Sequence, residues 1–304
     1  MIISLDIGGS AIKGAVASSP TNLTPIGRVA TPPDDFDAFA SAIAAMAAEA
    51  EAPAHAPVAI AITGVIDPDT GVIKCANIPC VDGRHLGAEL TGRLARQVLI
   101  ANDADCFALA EAVAGAGRGH RIVFGAILGS GVGGGLVIDG RIVTGPGGFA
   151  GEWGHGPVAA TSAGSPPVAI PHFQCGCGLM GCVNTIGGAR GTELLHRHLH
   201  GIDLPSTAIV AAWLAGDKAA ERTIACQIDL LASPLALAIN IVGAGMVPVG
   251  GGLAQAPQFI ARLDAEVRPR MLRRLATPLV VPGQLSLDPG LVGAAILGFS
   301  ERNP

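Results

Sequence analysis

Charge is scarce in this chain. Only 14% of its 304 residues are Asp, Glu, Lys or Arg, the formal net charge is −5, and the basic residues are scattered apart from the short cluster Arg268, Arg270, Arg273 and Arg274. That balance argues against a nucleic-acid surface, which needs concentrated positive charge. Tyrosine is absent and aromatics make up 3%, so the hydrophobic half of the composition is mostly aliphatic. The opening residues, MIISLDIGGS, lack a basic region and a long apolar segment, so no secretory signal is expected and a cytoplasmic location is. The longest uncharged stretch, between Asp229 and Arg262, is interrupted by Pro234, Asn240, Gly243, Gly245, Pro248 and Gly250 to Gly252. It divides into a buried helix, a short strand and a glycine turn, not a membrane span. Seven cysteines are an odd count, and in a reducing compartment they do not suggest a disulfide framework. Cys75, Cys80, Cys106 and Cys226 lie in apolar surroundings and are expected as small core residues.

What is present is glycine and proline, 43 and 22 residues, beside a composition that is 50% hydrophobic. A disordered chain is excluded, and at roughly 150 residues per domain the length suggests two domains of a layered α/β protein. Ile2 to Ser18 has the pattern strand, glycine turn, strand, and Phe124 to Val143 repeats it. Between them a helix is expected over Phe36 to Glu51, a buried strand over Val58 to Thr63 and a helix over Asp82 to Arg96. A strand over Gln97 to Ile100 then runs into a helix over Ala104 to Ala116. Later come helices near Gly191 to His200 and Ala219 to Val242, a strand over Met246 to Val249, and a last helix over Gly290 to Leu297. The expected domains are 1–117, completed by 290–304, and 118–289.

Five segments bear chemistry. Glycines let backbone N–H groups converge on an anion, and two turns do so here: Gly8-Gly9, and Gly129-Ser130-Gly131-Val132-Gly133-Gly134-Gly135. The second lacks the Lys-Ser/Thr ending of a Walker A sequence and is not a placed dinucleotide fingerprint. Asp6 and Asp103 each follow an apolar strand, where a carboxylate can reach a phosphate or metal. Asp6 suits Mg²⁺ held through water beside ATP phosphates, or a turn-stabilising Asp. Asp103 or Asp105 can cap the following helix, leaving the other for chemistry. Glu152 and His155 lie three apart and can face one site. Finally Cys175, Cys177 and Cys182, spaced by glycines, suit Zn²⁺ with His155 or His172 as the fourth ligand.

In order, Asp6-Ile7-Gly8-Gly9-Ser10, Asn102-Asp103-Ala104-Asp105-Cys106-Phe107, Gly129 to Gly135, Glu152-x-Gly-His155 and Cys-Gly-Cys-Gly-x-x-Gly-Cys resemble the ROK family over essentially the whole chain. The likeness is greatest to its bacterial N-acetylglucosamine kinases. The resemblance implies an actin-like ATPase/sugar kinase fold, with two ribonuclease H-like α/β domains and an active-site cleft between them. It implies ATP-dependent phosphorylation of the 6-hydroxyl of N-acetylglucosamine, with Asp103 as the catalytic base. Gly64, Asn77, Asn102, Asp103, Glu152, His155 and Asn184 would contact the sugar. Asp6, Gly8, Gly9, Ser10, Ala11, Lys13, Gly129, Ser130, Gly131, Val132, Gly133, Gly134, Gly251 and Gly252 would serve Mg²⁺ and ATP. His155, Cys175, Cys177 and Cys182 would hold a structural Zn²⁺ that orders a loop over 155–182. His155 can do both jobs because imidazole has two nitrogens, and His172 is then expected to face solvent. The resemblance also implies a homodimer, with neither nucleic acid nor membrane as a partner.

Three departures stand out. The family's Glu after the third cysteine is Asn184 here, which bears on the sugar accepted, because an amide donates as well as accepts. The usual Gly-Gly-Thr-Lys is Gly9-Ser10-Ala11, with Lys13 as a replacement charge. Thr63-Gly64 stands where Pro-Gly is frequent. These departures leave room for another hexose (glucose, mannose, fructose, allose or N-acetylmannosamine) or for a sugar-binding protein without catalysis. A sugar-responsive repressor would need a DNA-binding region before Asp6, and a bare zinc ribbon would leave the glycine turns unexplained.

Overall fold

In the computed structural model, which describes residues 1–285 and 288–300, the chain starts β1 (Ile2–Ile7), β2 (Ala11–Ser19), β3 (Asn22–Ala30), α1 (Phe36–Glu49), β4 (Val58–Ile62), β5 (Val65–Ile66), β6 (Ile73–Lys74), α2 (Leu86–Leu94), β7 (Val98–Asn102) and α3 (Asp103–Ala114). Next come β8 (Ile122–Leu128), β9 (Val132–Ile138), β10 (Arg141–Ile142), β11 (Ser162–Ala163) and β12 (Val168–Ala169). The remainder is α4 (Asn184–Gly187), α5 (Ala189–His200), α6 (Ser206–Leu214), α7 (Lys218–Val242), β13 (Val247–Gly250), α8 (Pro257–Val267), β14 (Val280–Pro282) and α9 (Pro289–Ser300). Two compact units form: Met1–Gly119 with Gly135–Ala150 and Leu285–Pro304, and His120–Gly134 with Gly151–Gln284. Of the segment 290–304 expected to complete the first domain, residues 301–304 lie outside the described residues.

The first unit is built on a sheet of order β3-β2-β1-β4-β7. β1 pairs antiparallel with β2 and parallel with β4, which pairs parallel with β7, so that Ile7, Ile62 and Asn102 share one row. Alternation along β1 sends Ile3, Leu5 and Ile7 into a core with Phe39, Ile43 and Met46 of α1. Ile2 faces the opposite way, toward a layer of Ala59, Ala61, Cys106, Ala294 and Ala295. The small residues there let α3 and α9 pack closely: a Cβ on Gly293 would fall 2.0 Å from the Cys106 carbonyl oxygen.

Two sequence expectations are corrected in this unit, and one strand is new. The helix expected over Asp82 to Arg96 is only α2, because Gly83 (φ 73°) precedes it and Ala95 (φ 49°) ends it in left-handed conformations. Strand β3 was not expected, since its residues are mostly exposed and carry no buried alternation. Neither Asp103 nor Asp105 caps α3; Asn102 does, its side chain accepting from the Ala104 and Asp105 N–H groups. Asn102 is the last residue with extended backbone, which is where a cap must sit.

In the second unit β13 lies parallel to both β8 and β14, and β9 flanks β8. Helix α7 is long and apolar enough to cross a membrane, yet 56% of its most apolar window is buried inside the protein. Ile224, Leu231 and Leu235 are fully buried, so it is a core helix packed by α5, α6 and α8. The helix expected near Ala219 to Val242 forms, running through Pro234 and stopping at Gly243 (φ 69°). Helices α6 and α8 were not foreseen.

Candidate active site

The first glycine turn joins β1 to β2 and closes with Gly8 N–H on the Ala11 carbonyl at 3.0 Å. Thr31 ties it from β3's end, its hydroxyl on the Gly8 carbonyl at 2.7 Å. Register places Asp6 opposite Lys13, whose ammonium is 3.4 Å from Asp6 Oδ2 and also bonds Asp288. Burial first, then the nearby Asp288, pushes the Asp6 carboxyl up to about 7, while Lys13 pulls the other way. Lys13 itself is raised, chiefly by its bond to Asp288. Asp288 escaped the sequence analysis; its one signal is Asp-Pro-Gly at the start of α9, where its Oδ1 accepts the Gly290 N–H at 3.3 Å. Two carboxylates around one cation are a donor set that suits Mg²⁺.

At the carboxyl end of β7, Asn102 Nδ2 donates to the Gly64 carbonyl at 2.8 Å. Gly64 has φ 135° and leaves no room for a side chain: a Cβ would fall 2.9 Å from the Lys74 carbonyl oxygen. Asn77 Nδ2 reaches Thr63 Oγ1 at 3.2 Å, and a Cβ on Gly9 would lie 3.2 Å from the Asn77 carbonyl oxygen. The first unit therefore brings Gly9, Thr63, Gly64, Asn77, Asn102 and Asp103 to the mouth of one sheet. Asp103 opens α3, its Oδ1 accepting the Ala104 N–H at 2.9 Å. Thr63 was known from sequence only as a departure, and its hydroxyl now has a partner.

The second unit holds the longer glycine turn, between β8 and β9. Gly129 N–H bonds the Gly131 carbonyl, while the Gly129 and Ser130 carbonyls accept from Ala189 and Arg190 N–H at 2.8 and 3.2 Å. Gly251 (φ 91°), after β13, leads in against it: a Cβ there would fall 2.4 Å from the Leu128 carbonyl oxygen. Nothing lies within 4 Å of a Cβ on Gly252. The run's glycines have different causes. Gly134 is demanded by packing, with the Gly151 carbonyl oxygen and Trp153 both 2.8 Å from its Cβ position. Trp153 Nε1 also donates to the Gly133 carbonyl at 2.8 Å.

Beside it, the ligand atoms of His155, Cys175, Cys177 and Cys182 all lie within 4.8 Å of one another. Cys177 and Cys182 sulfurs are 3.6 Å apart, and Cys175 Sγ is 3.7 Å from His155 Nδ1. Tetrahedral zinc with its ordinary bond lengths has S···S and S···N edges of about 3.8 and 3.6 Å. Burial works to raise Cys175, but hydrogen bonds from the Cys177 N–H, Asn184 and the two other thiols outweigh it and bring the thiol down to about 7. Burial and its thiol neighbours push Cys182 up to about 11. Three thiols this close share protons unless a cation replaces them, so the donor set fits a divalent ion. The other ring nitrogen, His155 Nε2, faces Glu152 at 3.9 Å, and burial raises Glu152 despite His155. His172 is neither a member of this group nor solvent-facing as expected. Its Nε2 meets the Ala159 carbonyl at 2.8 Å, and a Cβ on Gly181 would fall 2.7 Å from its ring. Among the cysteines expected in the core, Cys75, Cys106 and Cys226 are buried and Cys80 is half-buried.

Residues 2–300 match the ROK family. This chain belongs to that family. A curated relative, the N-acetyl-D-glucosamine kinase of Escherichia coli O157:H7, is 35% identical over 99% of this chain and 100% of its own length. An N-acetylgalactosamine kinase of Shewanella sp. (strain ANA-3) is 34% identical, covering 98% of this chain and 96% of that one. The crystal structure of a ROK family glucokinase from Streptomyces griseus, in complex with glucose and AMPPNP, superposes with a TM-score of 0.77 at 26% identity, covering 98% of this chain and 99% of that one. Membership and the two sheet-and-helix units agree with the actin-like sugar kinase fold that the motifs implied.

Proposed function

We propose that this ROK protein is an ATP-dependent sugar kinase that transfers the γ-phosphate to the 6-hydroxyl of N-acetyl-D-glucosamine. The observation that carries this is the placement of Asp6 and Asp103 at the carboxyl ends of β1 and β7, two parallel strands separated by β4. Ligands in open α/β sheets bind at that edge, and two strand spacings put the carboxylates' strands about 10 Å apart, the scale of a phosphorylated substrate. The E. coli kinase, similar over its full length, supplies the sugar.

Asp103 takes the proton of the 6-hydroxyl as that oxygen attacks the γ-phosphorus. The bond from phosphorus to the β–γ bridging oxygen breaks and ADP leaves. Such a base contributes about 10² to 10⁴ in rate, the rest coming from alignment and charge stabilisation. Asp6 would hold, through water, the Mg²⁺ that comes with ATP, and that ion would supply charge neutralisation at the phosphates. Gly8, Gly9, Ser10, Ala11 and Lys13, with Gly129 to Gly134, Gly251 and Gly252, address the nucleotide. Gly64, Asn77, Asn102, Glu152 and His155 address the sugar hydroxyls. Asn184 joins them with the second lone pair of its Oδ1 and its remaining amide hydrogen. Zn²⁺ held by His155, Cys175, Cys177 and Cys182 would order the loop and keep Nε2 of His155 turned toward Glu152. The kinase would work in the cytoplasm as a homodimer, which light scattering on the purified protein checks.

A coupled ADP-release assay with Mg·ATP tests the function, comparing N-acetylglucosamine, N-acetylgalactosamine, N-acetylmannosamine, glucose, mannose, fructose and allose. Highest kcat/KM on N-acetylglucosamine supports the proposal. Preference for another sugar would reassign the substrate, and no turnover on any would point to binding without catalysis. The similarity to the Shewanella kinase and Asn184 in place of the family's Glu make a second acetamido sugar the leading alternative.

A further inference from the structure

Asn184 has more partners than a sugar contact alone requires. Its Oδ1 accepts the Val132 N–H at 2.8 Å, and its Nδ2 donates to the Cys175 sulfur at 3.6 Å. Its own N–H holds the Gly154 carbonyl at 2.8 Å. One side chain thus links the thiol cluster to the glycine turn. The packing around that link has no slack. A Cβ on Gly131 would fall 2.2 Å from Asn184 Oδ1, one on Gly154 2.4 Å from the Val132 carbonyl oxygen, and one on Gly188 2.6 Å from Gly131 Cα. Residues 129 and 130 are already held from the α5 side through their carbonyls. Asn184 supplies the side-chain tie to Val132, two residues further on.

The amide is planar, so anchoring its nitrogen on sulfur aims its oxygen at Val132. Without the sulfur acceptor the amide can rotate, and the Val132 N–H loses its fixed partner. A carboxylate at this position, as the family usually has, carries no proton to give the sulfur. The link is therefore a property of Asn and not of the position.

We propose that Asn184 is a positioning residue through which Cys175, and with it the state of the metal-binding cluster, sets the order of the Gly129–Val132 turn and hence the affinity for nucleotide. The proposal rests on that turn being part of the nucleotide site. It concerns ATP, whereas a sugar contact by Asn184 concerns the other substrate.

A thermodynamic cycle on the full chain tests it. The dissociation constant of a non-hydrolysable ATP analogue with Mg²⁺ is measured by calorimetry for wild type, C175A, N184A and the double variant, with zinc content determined for each. Hydrogen exchange of the amides over residues 129–135 is followed in parallel. Each single change is expected to weaken the analogue about tenfold, and the double variant no further, because both cut one link. The turn's amides should exchange faster in both single variants. Additive losses, about a hundredfold in the double variant, would overturn the proposal. So would unchanged affinity in the singles, or a rise in sugar KM with analogue binding intact. If the alanine variants misfold, C175V and N184D run the same cycle, since Val fills the thiol's place without an acceptor and Asp keeps the acceptor for Val132 and lacks the donor. Failure of the wild type to bind the analogue would overturn the nucleotide assignment itself, before any variant is compared.

Discussion

Asn102 Nδ2 donates to the Gly64 carbonyl at 2.8 Å while Oδ1 of the same side chain receives the Ala104 N–H at 2.8 Å. One amide therefore caps α3 and fixes the loop after β4, on either side of Asp103. Asn102→Ala removes a cap worth about 1 kcal/mol and lets Asp103 move. Thermal melts should fall by a few degrees, about 4–8 °C per kcal/mol for a small domain and less for a larger one. Turnover should fall further, by about tenfold or more. Asn102→Asp keeps the cap and loses the Gly64 bond, so it should melt near wild type yet remain slow. Wild-type kcat in that variant would show that the Gly64 tie does not position Asp103.

Asp103→Asn keeps shape and removes the proposed base. Turnover in the coupled assay is expected to drop by about 10² to 10⁴, with sugar binding by calorimetry retained. A wild-type rate would remove Asp103 from the mechanism.

The thiol cluster should carry about one zinc per chain, read by elemental analysis of the purified protein. Cys182, fully buried, is the critical test: Cys182→Ala should lose the metal and much of the loop's order, since structural sites contribute on the order of 10 kcal/mol. Cys106→Ala, also a buried cysteine but outside the cluster, should keep it. Chelation should also raise the sugar KM, because His155 would lose the bond that orients its ring. Full zinc content in Cys182→Ala would refute the ligand set.

Asp6 predicts a pH dependence. Burial and Asp288 raise it from 3.8 to about 7 in the folded protein, so the folded state keeps a proton that the unfolded chain sheds. Stability from this group is largest at low pH, declines from about pH 4 to 7, and is flat above. Asp6→Asn lacks the titration, so denaturant melts at pH 4.5 and 7 should differ less for the variant than for wild type. Equal differences would show that Asp6 is ionised throughout.

Much of this was legible because the signals were local. The glycine turns, the run of apolar residues ahead of Asp103 and the Cys-Gly-Cys-Gly spacing each declare themselves within about ten residues, and strand or helix periodicity around them is set by neighbours in the chain. Exposed strand β3 and helix α6 were not legible, since few of their side chains carry a burial pattern; α8 buries Phe259, Ile260, Leu263 and Val267 at helical spacing, a signal that was present and missed. The choice of Asn102 as the cap turned on a backbone angle.

The sequence alone determined the α/β class and the family, because those depend on residue type and spacing. Only the tertiary structure decided which partner each chemistry-bearing residue has. Lys13 meets Asp288 from 275 positions away, Nδ1 of His155 and not His172 turns to the thiols, and Asn184 reaches Val132 across 52 residues. Such pairings follow from how sheets and loops pack in three dimensions, where a hydrogen bond is won by geometry within a few tenths of an ångström, and no local pattern in the chain records that.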